Sequence, residues 1–164
     1  MAPHIVIPAP VGMAYLGKPR RKPMLLLAAL LFAQDVPCTV QDADLPPELA
    51  GWVHPGETLA PGVPVLLEGS DSGAARVTYE AETVFEVTQA GVYGVVLDQR
   101  GWIEVTAMEE GAEPLRSVAH AHGPACSSIA KIVNFPLEPG SYRLNLSNLP
   151  APRAKAMLLA PSAS

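Results

Sequence analysis

Two stretches, FEVTQAGVYGVVL at residues 85–97 and FPLEPGSYRLNL at residues 135–146, decide the fold. Phe85, Val87, Gly91, Tyr93, Val95 and Leu97 in the first match Phe135, Leu137, Gly140, Tyr142, Leu144 and Leu146 in the second. In each, apolar side chains recur every second residue on either side of a glycine. That period belongs to strands with one buried face, not to helices. Each copy therefore predicts a strand, a glycine turn of positive φ and a second strand, that is, one hairpin. Two copies about fifty residues apart suit two hairpins of a sandwich; a solenoid needs at least three repeats.

The alternation extends outward. Ala75, Val77 and Tyr79 alternate with Arg76, Thr78 and Glu80, and Trp102-Ile103-Glu104-Val105 follows a tight turn at Asp98 to Gly101. Further runs cover Leu115 to His122 and Met157 to Leu159. Short strands separated by Gly, Pro and Asp at about ten-residue spacing predict an all-β domain, a single antiparallel β-sandwich resembling a jelly roll, over residues 71–164. Composition agrees: of 164 residues 18 are proline, and proline inside a helix removes a backbone donor and clashes with the preceding turn. With 49% hydrophobic and 16% charged residues, the chain is also too apolar for intrinsic disorder.

Before the strands lies a proline-rich arm, residues 34–70. Pro46-Pro47, Pro55, Pro61 and Pro64 interrupt it, and Leu45, Leu49 and Trp52 are its apolar anchors for packing on the domain. Asp44 to Glu48 predicts a single helical turn.

Residues 1–33 read as an export signal. Lys18, Arg20, Arg21 and Lys22 precede MLLLAALLFA at residues 24–33, and no acid occurs among the first 33 residues. Ten helical residues span about 15 Å, half a bilayer core, which suits a cleaved signal and not a membrane span. The start codon is open between Met1, Met13 and Met24, and cleavage is placed near Ala33–Gln34. Cleavage leaves 16 acids and seven bases, a net charge of −9 that keeps the domain soluble and opposes nucleic acid. The expected destination is the periplasm or the medium.

In an oxidising compartment the two cysteines, Cys38 and Cys126, are most simply one disulfide. Closing so long a loop stabilises by roughly 4 kcal/mol on the chain-entropy argument. The competing reading makes Cys126 a free nucleophile or a metal ligand.

Chemistry concentrates in SVAHAHGPAC, residues 117–126. On a strand, His120 and His122 point the same way and can share one metal ion, with iron, zinc and copper all suited to imidazole. Cupin sites add a glutamate after three or four further residues, where this chain has Cys126 and Ser127. Glu104, His54 and Cys126 are the candidate third ligands. Alternatively, the histidines are structural and border the Gly123-Pro124 turn. Ser127 and Ser128 lack the surroundings of a nucleophile elbow and suggest instead a helical turn through Lys131. Trp102 is either a core residue or a platform for a sugar ring, with Glu104 beside it as a ligand contact. The chain has no phosphate loop, dinucleotide fingerprint or haem-attachment motif.

ADLPPELAGW at residues 43–52, Gly91-Val92-Tyr93, Trp102 to Val105, His120 to Cys126, KIVNFPL at 131–137 and Pro139 to Tyr142 together resemble a group of small exported bacterial proteins carrying the label homogentisate 1,2-dioxygenase. The label implies ring-cleaving oxygenase activity with an iron held by two histidines and a glutamate, of which this chain retains the H-x-H pair. The paired-strand pattern is also similar to pre-peptidase C-terminal and carbohydrate-binding sandwiches. Two functions follow as expectations. The first is a non-catalytic exported module that binds a small ligand or a protein. The second is a metal-dependent dioxygenase acting through His120 and His122.

Overall fold

The computed structural model describes Cys38 and residues 41–161; the export signal expected over residues 1–33 lies outside them. Among the described residues, nine strands form two antiparallel sheets: β1 (Val65–Glu68), β2 (Ser70–Asp71), β3 (Tyr79–Val87), β4 (Gly91–Leu97), β5 (Trp102–Ala107), β6 (Ala119–His122), β7 (Lys131–Leu137), β8 (Gly140–Leu149) and β9 (Arg153–Leu159). One sheet has the order β1-β9-β4-β7-β6 and the other β2-β3-β8-β5. Their facing sides enclose Phe85, Tyr93, Val95, Leu97, Val105, Phe135, Leu144 and Leu146, each at most 3% exposed. The protein is thus the β-sandwich that the alternation predicts.

The repeat behaves differently from two hairpins. β3 and β4 lie in opposite sheets, as do β7 and β8, so each copy is an arch that carries the chain across the core. The copies interlock instead. β3 of the first pairs with β8 of the second, placing Phe85 opposite Tyr142, and β4 pairs with β7, placing Tyr93 opposite Phe135. Each tyrosine also bonds back to its own connection. Tyr93 Oη donates to the Gln89 carbonyl at 2.7 Å, and Tyr142 Oη to the Glu138 carbonyl at 2.9 Å. Period alone cannot tell an arch from a hairpin, because both bury every second residue.

The two repeat glycines differ from each other. Gly91 has no positive φ; a side chain there would strike Pro161, whose Cβ lies 2.6 Å from where the glycine's own Cβ would sit. Gly140 keeps the positive φ expected of it, at 158°.

The two sheets differ on their outer faces. In the middle of the five-stranded sheet, Val96 and Met157 point away from the main core and are fully buried by Leu49, Trp52 and Ile129. Residues Pro47–Val53 form a seven-residue 3₁₀ helix, longer than the single turn expected, that lays Leu49 and Trp52 on this sheet. Leu45 packs at the margin of the same cluster. Strand structure begins within the segment read as arm: β1 pairs with β9, and after Gly69 the chain passes to the other sheet as β2.

Trp52 is fully buried, donates from Nε1 to Ser128 Oγ at 2.8 Å, and carries the Lys155 ammonium 4.2 Å from its ring centroid. Burial of so large a ring contributes on the order of 3 kcal/mol, and the cation adds about 0.5–1 kcal/mol more. Cys38 and Cys126 are joined, and Gln41 N–H donates to the Cys126 carbonyl at 2.8 Å. No helical turn follows Cys126. Ser127 Oγ donates to the Pro124 carbonyl at 2.8 Å, Ser128 is held by Asp42, and β7 begins at Lys131. Among the described residues, no helix is long and apolar enough to cross a membrane.

Candidate functional site

The arm covers the five-stranded sheet, and the outer face of the four-stranded sheet is the one that no described segment covers. Its outward positions follow from strand alternation: Trp102, Glu104 and Thr106 on β5 stand opposite Ser147, Asn145 and Arg143 on β8. On the other side of β8, Asn145 stands opposite Glu82 and Arg143 opposite Val84 of β3. Residues directly opposite in an antiparallel pair share a face, so these side chains form one surface.

Across this surface runs an open groove of about 470 Å³, lined by Glu68, Ser70, Glu80, Glu82, Glu104, Asn145 and Ser147. Glu68 is ion-paired with Arg153 at 2.7 Å. Glu80, Glu82 and Glu104 have no basic partner within 4 Å among the described residues, so the groove is acidic.

Trp102 stands beside the groove, opposite Ser147, and is 70% exposed. An indole held that far out of a core loses burial worth a few kcal/mol. Its backbone is nevertheless anchored. The Lys131 ammonium donates to the Gly101 carbonyl, and burial pushes the Lys131 amine below its ordinary pKa. A side chain at Gly101 would come within 2.9 Å of the Ser147 carbonyl, so the turn seats Trp102 tightly against β8. The two contacts named from sequence, Trp102 and Glu104, are two residues apart on one exposed face. The partners that sequence reasoning missed are Glu80, Glu82, Asn145 and Ser147. Their signal was the polar half of the alternation in β3 and β8, legible only once the pairing of those strands is known.

His120 and His122 occupy β6, the last strand of the five-stranded sheet, and both are exposed. Their opposite residues on β7 are Val133 and Lys131. Val133 packs against the main core, so both imidazoles lie on the core side of the sheet, at its rim. The candidate third ligands are elsewhere: Cys126 is in the disulfide, Glu104 is on the outer face of the other sheet, and His54 follows the 3₁₀ helix. Among the described residues, no three His, Cys, Asp or Glu side chains are grouped to hold a metal ion. The two histidines and a carboxylate that such an iron site needs are therefore not grouped among the described residues. Ser128 is engaged by Asp42 and Trp52, and Ser127 by Pro124, so neither serine is paired with a histidine.

Compared with known proteins, the chain matches no family model and no curated sequence.

Proposed function

We propose that this protein is an exported, non-catalytic binding module that recognises a neutral, hydroxyl-rich ligand of the saccharide class on the outer face of its four-stranded sheet. The observation that carries the reading is Trp102, 70% exposed beside a groove lined with carboxylates, an amide and hydroxyls. An exposed indole offers a flat apolar platform for the C–H face of a sugar ring. Carboxylate and amide oxygens accept hydrogen bonds from ring hydroxyls, and charge on the acceptor strengthens them. The acidic groove disfavours anionic polymers. Export is supported by the basic-then-apolar pattern of residues 18–33 and by the Cys38–Cys126 disulfide, which suits an oxidising compartment.

The test is tryptophan fluorescence of the mature protein titrated with neutral oligosaccharides. Trp52 is sealed in the arm cluster, so a change in emission reports Trp102. Saturable quenching that disappears in Trp102→Ala is the expected result. A response that survives in that variant, or none across neutral glycans of differing linkage, overturns the reading.

A further inference from the structure

We propose that β6 pairs with β6 of a second copy of this chain and that the joined strands hold one zinc-class divalent ion between four histidines. This inference rests on no part of the Trp102 reading.

The free edge is the first ground. β6 ends its sheet, and no strand among the described residues pairs with its outer side. Exposed strand edges are normally blocked by lysine, proline or a covering segment. The other edges show such devices. β1 is flanked by a bridge from Gly56, β5 receives the Leu115 N–H on the Val105 carbonyl at 2.8 Å, and β2 is two residues long. β6 reads Ala-His-Ala-His, with small residues on one face and imidazoles on the other; all four residues are exposed, and it contains neither lysine nor proline.

The second ground is the incomplete ligand set. Within one chain the pair lacks a third ligand among the described residues. Antiparallel pairing about a two-fold axis at Ala121 places His120 opposite the partner subunit's His122, and His122 opposite the partner subunit's His120. All four then share one face. Opposed Cβ atoms in such a ladder lie about 5 Å apart, and alternate residues of one strand are separated by about 7 Å. Imidazoles rising from a rectangle of that size can converge on a tetrahedral ion with Zn–N distances of about 2.0–2.1 Å. A four-residue strand buries too little by itself for a stable dimer, since lasting interfaces remove roughly 1,200 Å² or more from water. Association is therefore metal-dependent.

The experiment is sedimentation velocity on the mature, disulfide-bonded protein, stripped with chelator and then titrated with zinc sulfate, with bound zinc measured in parallel. The expected result is a monomer that becomes a dimer at half a zinc ion per chain and returns to monomer on adding EDTA. The variant His120→Ala/His122→Ala, checked as folded by circular dichroism, remains monomeric with zinc. A wild-type chain that stays monomeric in excess zinc, or binds one ion per chain without changing mass, overturns the proposal. So does a folded double variant that still dimerises with zinc. The wild-type stoichiometry stands as a test even if the variant fails to fold.

Discussion

Phe85 stacks on Tyr142 with ring centroids 5.6 Å apart and planes inclined by 20°. The first residue comes from one copy of the repeat and the second from the other, so the contact is where two arches lock together. In both copies the tyrosine hydroxyl reaches the carbonyl four residues earlier, which ties each strand to the connection that changes sheets.

The first prediction concerns this lock. Tyr93→Phe removes one hydroxyl bond, whereas Tyr142→Phe removes two, because Tyr142 Oη donates to the Glu138 carbonyl and accepts from the Glu138 N–H. Each bond lost is expected to cost about 1 kcal/mol. Phe85→Ala removes the ring and is expected to cost about 3–5 kcal/mol. Urea unfolding checks the series; a Phe85→Ala variant as stable as either tyrosine variant contradicts the lock.

The disulfide is expected to contribute roughly 4 kcal/mol, since it spans 88 residues of sequence. Replacing both cysteines by serine lowers the unfolding free energy, read from urea melts, by that amount. The arm nevertheless stays docked in native buffer, because Asp42 accepts from Ser128 N–H at 2.8 Å and from Ser128 Oγ at 2.5 Å, independently of the sulfurs. Trp52 emission that shifts to the red in the cysteine-free protein before denaturant is added would contradict this.

Asp42 and Asp98 are expected to respond to pH with opposite sign. Burial favours protonation of Asp42, but the two Ser128 bonds and the Lys155 charge outweigh it and hold the carboxyl below its ordinary value. Its contribution is present above about pH 4 and fades as pH falls toward the depressed native value. Burial raises the Asp98 carboxyl despite bonds from the Lys155 backbone and Gln99, and its Oδ1 has no hydrogen-bond partner. Asp98 therefore weakens the fold at neutral pH, and that penalty is relieved as pH falls through its raised native value. Asp42→Asn should destabilise and Asp98→Asn stabilise at pH 7, with both differences shrinking near pH 3. Urea midpoints that are parallel across this range would rule out the linkage.

The two tryptophans are expected to separate stability from binding. Trp52→Ala empties a sealed site and should cost about 3–5 kcal/mol. Trp102→Ala removes an exposed ring and should alter stability by no more than about 0.5 kcal/mol, while abolishing saccharide-induced quenching. Thermal unfolding measured beside the fluorescence titration checks both. Equal losses of stability would show that Trp102 belongs to the core.

Much of this protein is legible in its residues because strand alternation is a local property. Each backbone step turns the side chain to the other face, so the polar and apolar halves of 85–97, 102–105 and 135–146 declare which atoms leave water. The all-β class, the apolar anchors Leu49 and Trp52, and the pairing of two lone cysteines follow from such local or compositional facts. What local pattern leaves open is which strand lies beside which. The repeat reads equally as hairpin or arch, and only the packed core, with Phe85 against Tyr142 and Tyr93 opposite Phe135, selects the arch. That choice assigns β3, β5 and β8 to one sheet and brings Trp102 and Glu104 together with Glu82, Asn145 and Ser147, residues some forty to sixty positions apart in sequence in several pairs. It also leaves His120 and His122 at an open rim of one sheet and Glu104, the carboxylate named as a candidate third ligand, on the other sheet. The residues by themselves determined which side chains of the repeat line the core between the sheets, because that burial follows the period of the strand. The tertiary structure decided which exposed side chains meet, because contacts between distant strands are set by how the two sheets close over a shared core.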